Sequence, residues 1–233
     1  MHLCQLLQTR KNEALSISHY MRWRKEIVEG SNFIRAHLAT VSIKNNCPYT
    51  IWPATLANSN RPQLSETGFE LASGGTKTLD IPAQWAGRFW ARTGCSGSFT
   101  CATADCGSGQ VQCNGKSGAT PASLVEITFQ ADDGQDYYNL SLVDGFNLPV
   151  SVAPQGGSGT RCTQATCSNN VNAACPENLR LIGSDGNVIG CKNTLDNATF
   201  FKSQCPEAYS YPQDDQVVRA CTAGANYAIT FCP

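Results

Sequence analysis

Acid–base and nucleophilic chemistry has few possible sources in this chain. Its three histidines, His2, His19 and His37, all fall within the first 39 residues. The rest of the chain therefore holds no imidazole for a Ser/His/Asp or Cys/His site. Carboxylates remain: from Thr40 onward fifteen Asp and Glu stand against eleven Lys and Arg, a net charge of −4. Two carboxyl groups suffice for glycoside hydrolysis, one protonated as acid and one ionised as nucleophile or as base for a water. The separation is about 5–5.5 Å for retention and about 6.5–9.5 Å for inversion. An acidic body argues against nucleic acid and anionic membrane as partners and suits a neutral polysaccharide.

The thirteen cysteines are the other reactive groups. None stands in a C-x-x-C pair and the body offers no histidine ligand, so neither a metal nor another cofactor is expected. Twelve lie between Cys47 and Cys232, an even number as disulfides require, and Cys4 is left over. Disulfides persist in oxidising compartments, which makes the body extracellular or lumenal. The N-terminus is atypical for such a protein. In residues 1–39, Leu3, Leu6 and Leu7 are followed by Arg10, Lys11 and Glu13, short of the about 7–15 apolar residues of a signal peptide. No stretch reaches the roughly 20 apolar residues of a membrane span. Residues 1–39 are accordingly set apart from a domain over 40–233.

The elements that must position any site are strands. Charged residues make up 15% of the chain, and glycine and proline are frequent, a pattern of turn-rich β structure. Alternation or β-rich composition predicts strands at Val41–Ile43, Tyr49–Trp52, Thr76–Ile81, Arg88–Thr93, Leu124–Gln130 and Asn226–Phe231. A strand-turn unit spans Tyr137–Val152, with Asp144-Gly145 as its turn. In Leu124–Gln130, Val125, Ile127 and Phe129 share the core face, which sends Glu126 outward or into a cleft. Two stretches break the pattern. Residues 94–118 hold four cysteines and few apolar side chains, too little for a core, and need their own bridges. Residues 154–205 hold five cysteines and one short helical stretch, Asn193–Phe201. The expected fold is all-β, an antiparallel sandwich with two disulfide-rich loop excursions.

The run Gly97-Ser-Phe-Thr-Cys101-Ala-Thr-Ala-Asp105-Cys106-Gly-Ser-Gly109-Gln-Val-Gln-Cys113 resembles the signature of the thaumatin-like proteins. Other segments agree, among them Gly87-Arg-Phe-Trp-Ala-Arg-Thr93, Ser141-Leu-Val-Asp-Gly-Phe-Asn-Leu-Pro149 and Cys205-Pro-Glu-Ala-Tyr-Ser-Tyr-Pro-Gln-Asp-Asp215. The likeness runs in order from about Thr40 to Pro233. It implies six disulfides: Cys47–Cys232, Cys95–Cys101, Cys106–Cys113, Cys162–Cys221, Cys167–Cys205 and Cys175–Cys191. It also implies that the excursion is shortened between Cys191 and Cys205, since long-form relatives carry sixteen cysteines.

The resemblance further implies an acidic cleft lined by Arg88, Glu126, Asp144 and Asp214, with Asn139 where relatives carry an aspartate. Any catalysis would fall to Glu126, Asp144 and Asp214. An amide at 139 can bond sugar hydroxyls but cannot act as acid, base or nucleophile. Simpler readings stand beside these: Glu126 as a solvated strand residue neutralised by Arg88, Asp144-Gly145 as a turn, Asp214-Asp215 as a solvated loop. Asn139-Leu-Ser and Asn197-Ala-Thr are glycosylation sequons, with Asn197 the better acceptor. Tyr137, Tyr138, Phe146, Tyr209 and Tyr211 cluster near the cleft residues, some as sugar platforms and some as core. The implied function is that of a secreted, apoplastic, monomeric pathogenesis-related antifungal protein binding β-1,3-glucan in fungal cell walls. A weak endo-β-1,3-glucanase and a protein inhibitor of microbial hydrolases are the alternatives.

Overall fold

The computed structural model describes residues 39–233. Cys4, the three histidines and all but the last residue of the N-terminal segment lie outside the described residues. The strands are β1 (Ala39–Asn45), β2 (Trp52–Ala57), β3 (Thr76–Ile81), β4 (Ala86–Arg92), β5 (Leu124–Thr128), β6 (Gln135–Ser141), β7 (Val150–Gln155), β8 (Ala165–Cys167), β9 (Arg180–Ile182), β10 (Val188–Cys191), β11 (Ala208–Tyr209), β12 (Arg219–Thr222) and β13 (Asn226–Phe231). Two short helices, α1 (Val171–Ala174) and α2 (Ala198–Gln204), accompany them.

Alternation drives the layering. Inward residues of one sheet, ordered β3-β1-β13-β7-β8, include Val41, Ile43, Ile229 and Val152. They share one buried cluster with Phe89, Val125, Ile127 and Leu140 of the second sheet, ordered β11-β6-β5-β4-β2. The fold is thus an all-β sandwich. Each of these fully buried side chains contributes on the order of 1.5–3 kcal/mol of transfer free energy.

Most pairings are antiparallel, but β1 and β13 run parallel in mid-sheet, Val41 opposite Tyr227. Parallel pairing brings the two strand ends together, and Cys47–Cys232 closes them across 185 residues. A loop of that length makes the bridge worth up to about 5 kcal/mol by chain entropy. The remaining bridges are Cys95–Cys101, Cys106–Cys113, Cys162–Cys221, Cys167–Cys205 and Cys175–Cys191.

Several local expectations shift. Tyr49–Ile51 precede the strand: Ile51 makes only an isolated bridge to Leu71, and β2 starts at Trp52. β5 stops at Thr128 because Phe129 N bonds Trp85 O and Gln130 turns to φ 47°. The helix lies at Ala198–Gln204, since Leu195–Asn197 forms a separate 3₁₀ turn before it. The Asp144-Gly145 turn does not close a hairpin: β6 and β7 belong to different sheets, and the turn carries the chain between them. Gly145 has φ 89°, and a Cβ there would stand 2.6 Å from Cys191 O, so only glycine fits.

The two excursions behave differently. Residues 94–118 fold over the outward face of the second sheet and build a small core there, with Trp90, Leu124 and Ala54 beneath Ala104, Cys106 and Cys113. A sequence too poor in apolar residues for its own core thus completes one with side chains of the sheet. The 154–205 excursion instead sends Val171, Leu179 and Phe201 into the main cluster.

Candidate functional site

Strand register places the site. Arg88 on β4 stands opposite Glu126 on β5, which stands opposite Asn139 on β6. Their sequence neighbours Phe89, Val125 and Leu140 are fully buried in the main core, so the period of two turns Arg88, Glu126 and Asn139 outward. A cavity of about 300 Å³ opens above this row, bordered by Arg88, Glu126, Asn139, Asp144, Tyr209 and Asp215. A second hollow of about 200 Å³ continues past Glu126 and Asn139 toward Asn58, Thr128 and Tyr137.

Each cleft carboxylate has a donor at hand. Asn139 Nδ2 donates to Glu126 Oε2 at 3.1 Å. Arg88 Nη1 stands 3.9 Å from Asp144 Oδ2, with both side chains about one-third exposed. A pair so solvated contributes less than about 1 kcal/mol. Tyr209 donates its hydroxyl to Asp215 Oδ1 at 2.8 Å. Burial first, then that bond and the nearby charges of Asp215, Glu126 and Asp214, push the Tyr209 phenol well above its ordinary range. It stays a neutral donor at any physiological pH. Arg88 Nε is buried without a hydrogen-bond partner among the described residues.

Asp214 is not on the cleft surface. It is 1% exposed, in contact with Lys202 Nζ, and accepts from Ser210 N at 3.2 Å and Gln216 Nε2 at 3.4 Å. The neighbouring carboxylate takes the outward place: Asp215 begins a 3₁₀ turn, Asp215–Val217, which rotates it toward Tyr209 while Asp214 anchors the turn from below. A doublet of identical residues in a loop has no periodicity to say which faces out. Among the aromatics, Tyr138 and Phe146 are fully buried, whereas Tyr209 and Tyr137 border the two halves of the cleft. Tyr211 is exposed.

Of the two sequons, Asn139 is half-buried with its amide engaged by Glu126. Asn197 sits just before α2, bonding Thr194 Oγ1 at 2.6 Å. Among the described residues no group of three or more His, Cys, Asp or Glu is placed to hold a metal ion, and no helix is long and apolar enough to cross a membrane.

The model of the Thaumatin family matches residues 45–199 and 194–233. The chain belongs to that family. Among relatives of this thaumatin-family protein, one from Prunus avium named glucan endo-1,3-beta-glucosidase is 51% identical over 230 residues, covering 87% of this chain and 94% of its own. Pathogenesis-related protein 5 of Arabidopsis thaliana is 41% identical over 232 residues, covering 86% and 95%. In three dimensions the thaumatin-like xylanase inhibitor TLXI aligns with a TM-score of 0.51 at 24% identity, over 83% of this chain and 99% of its own, a likeness of fold.

Proposed function

We propose that this thaumatin-family protein is a secreted plant defence protein whose cleft binds β-1,3-glucan of fungal cell walls without cleaving it efficiently. The observation that carries the reading is the outward row Arg88, Glu126 and Asn139 beneath an open cavity flanked by Asp144, Tyr209 and Asp215. Oriented acceptors and donors of this kind bond sugar hydroxyls, and Tyr209 and Tyr137 offer ring surface at either half. Asn139 limits the chemistry. It occupies Glu126 Oε2 and cannot hold or release the proton that an acid–base pair needs.

Weak endo-glucanase activity is the second reading, favoured by the name of the Prunus avium relative. Its acid–base pair would be Glu126 with Asp144 or Asp215. Asp214, enclosed with Lys202, cannot meet substrate. Inhibition of a microbial hydrolase has no particular residue here in its favour. Monomeric, apoplastic protein with a glycan at Asn197 completes the proposal.

The test incubates the oxidised full-length chain with linear β-1,3-glucan and follows co-sedimentation and reducing-end release together. Co-sedimentation that Glu126→Ala abolishes, with little release, is expected. Release lost in the same variant makes the protein a glucanase, and no co-sedimentation at all overturns both readings.

A further inference from the structure

The cleft is not the roomiest hollow in the described residues. A groove of about 750 Å³ lies elsewhere, and none of its lining residues borders the cleft. Six separate parts of the chain wall it: the approach to β2, the start of the 94–118 excursion, the crossing between β6 and β7, the α1 region at Asn170 and Asn172, the β9–β10 region and the C-terminal Cys232. Disulfide Cys175–Cys191 ties the α1 side to β10, Cys47–Cys232 ties the approach to β2 to the C-terminus, and Cys95–Cys101 closes the start of the excursion. The size suits a small organic ligand, for which about 300–1,000 Å³ is usual.

The lining chemistry narrows the occupant. Tyr49 and Trp52 bring aromatic surface, and Val188 and Ile189 aliphatic surface. The polar groups are nearly all uncharged. Thr50, Asn170 and Ser184 border the groove, and their side chains, like the Tyr49 hydroxyl, make no hydrogen bond to any described residue. Tyr49 is 48% exposed, so its side chain is open to the groove and to solvent. Asp185, the charged member, is occupied within its own turn by the backbone and side-chain amides of Asn187 at 3.0 and 2.7 Å. Asn172 is likewise held, donating to Asn147 O at 3.0 Å. The groove therefore has aromatic faces and uncommitted hydroxyl and amide groups, a single carboxylate already hydrogen-bonded within its own turn, and no cationic side chain.

We propose that this groove is a second binding site, distinct from the acidic cleft, for a neutral oligosaccharide. Aromatic rings cover the C–H faces of sugar rings, while hydroxyls and amides meet their edges; a phosphate or acidic peptide would find no counter-charge, and a basic peptide would find a single carboxylate, Asp185. With both sites filled by one polysaccharide or by neighbouring chains, the protein holds a wall at two points. The second contact then forms at the effective concentration set by the first. The inference does not depend on the cleft's own ligand.

The experiment records ¹H–¹⁵N spectra of the full-length oxidised chain titrated with short oligomers of β-1,3-glucan, β-1,4-glucan, β-1,4-xylan and α-1,4-glucan. At least one oligomer is expected to shift the Thr50, Asn170 and Ser184 amides, with the same midpoint in Glu126→Ala. Tyr49→Ala, at an exposed position, weakens that binding roughly fivefold or more, and Asn170→Ala weakens it further. Three results overturn the proposal: no groove shifts with any oligomer at millimolar concentration, groove shifts that vanish in Glu126→Ala, or midpoints unchanged in both groove variants. Groove shifts in the parent protein with no shifts at the cleft residues would sink the cleft reading alone.

Discussion

The outward face of the second sheet has two ends that are built alike and end differently. On β4, Arg88, Trp90 and Arg92 all point away from the main core at the same period. Arg88 looks into the cleft, about one-third exposed. Trp90 and Arg92 are fully buried because the 94–118 excursion lies over them. Trp90 Nε1 donates to Ala104 O at 3.0 Å. The Arg92 guanidinium donates to Trp52 O at 3.1 Å and Val111 O at 2.7 Å, and its Cζ lies 4.9 Å from the centre of the Phe99 ring. Burial pulls the Arg92 pKa down to about 10, against the opposing charge of Asp105, so it stays charged at neutral pH. Strand geometry sets which side chains leave the core. What lies above them decides whether they become a second core or a site.

The sharpest way to break that contrast is to remove the covered residue. Trp90→Ala empties the space between β4 and the excursion and leaves Ala104 O without its donor. A loss of about 3–5 kcal/mol is expected, read by chemical denaturation with disulfides intact. Glu126→Ala, one strand over on the open end, should stay within about 0.5 kcal/mol. Equal losses for the two would mean that the cleft row is structural.

Part of this was legible in the residues themselves. Val125, Ile127 and Phe129 alternate with Glu126, and that alone sends Glu126 outward. Cover was not legible: Ala104, Cys106 and Cys113 have little hydrophobicity of their own and bury Trp90 only because two disulfides hold them in place. Nor was the parallel β1–β13 pair, whose partners are 186 residues apart and obey no local rule. Asp144-Gly145 reads as a turn from its residue types, but the destination of the turn depends on the sheet that receives β7. The Asp214-Asp215 doublet shows the same limit, since burial of one member depends on Lys202 of α2.

That doublet offers the second test. Asp214→Ala leaves Lys202 Nζ with only the carbonyls of Pro206 and Ala208 and frees Ser210 N, at a cost of about 2–3 kcal/mol. The figure lies below that of a fully enclosed ion pair because the Lys202 side chain is 27% exposed. Asp215→Ala removes only the exposed bond from Tyr209 and should cost less than about 1 kcal/mol. Glucan co-sedimentation should weaken in Asp215→Ala while its unfolding midpoint hardly moves. An unstable Asp215→Ala with intact binding would return the cleft role to Asp214.

The smallest effect concerns a carboxylate on the wrong side of its strand. Asp136 lies on β6 three residues before Asn139, but it faces inward beside Tyr138 and is fully buried. Its Oδ1 accepts from Gln130 N at 2.9 Å and its Oδ2 from the Tyr227 hydroxyl at 3.2 Å. Burial outweighs both bonds and holds its pKa above the ordinary aspartate value. A raised folded-state pKa means that the fold favours the protonated form. The stability it contributes is fully present below the unfolded pKa of about 3.9 and is lost as pH rises through the higher folded value. Asp136→Asn keeps a carbonyl acceptor for Gln130 N and turns its amide to the Tyr227 oxygen, without the ionisation penalty. Relative to the parent, the variant should therefore gain stability between pH 3 and pH 7, in a window starting near 4. Denaturant unfolding across that range reads the sign. A parent that gains on the variant as pH rises would mean that ionised Asp136 is stabilised by its two donors, as the exposed cleft carboxylates are by theirs, and that inward and outward positions on β6 do not differ in the way burial requires.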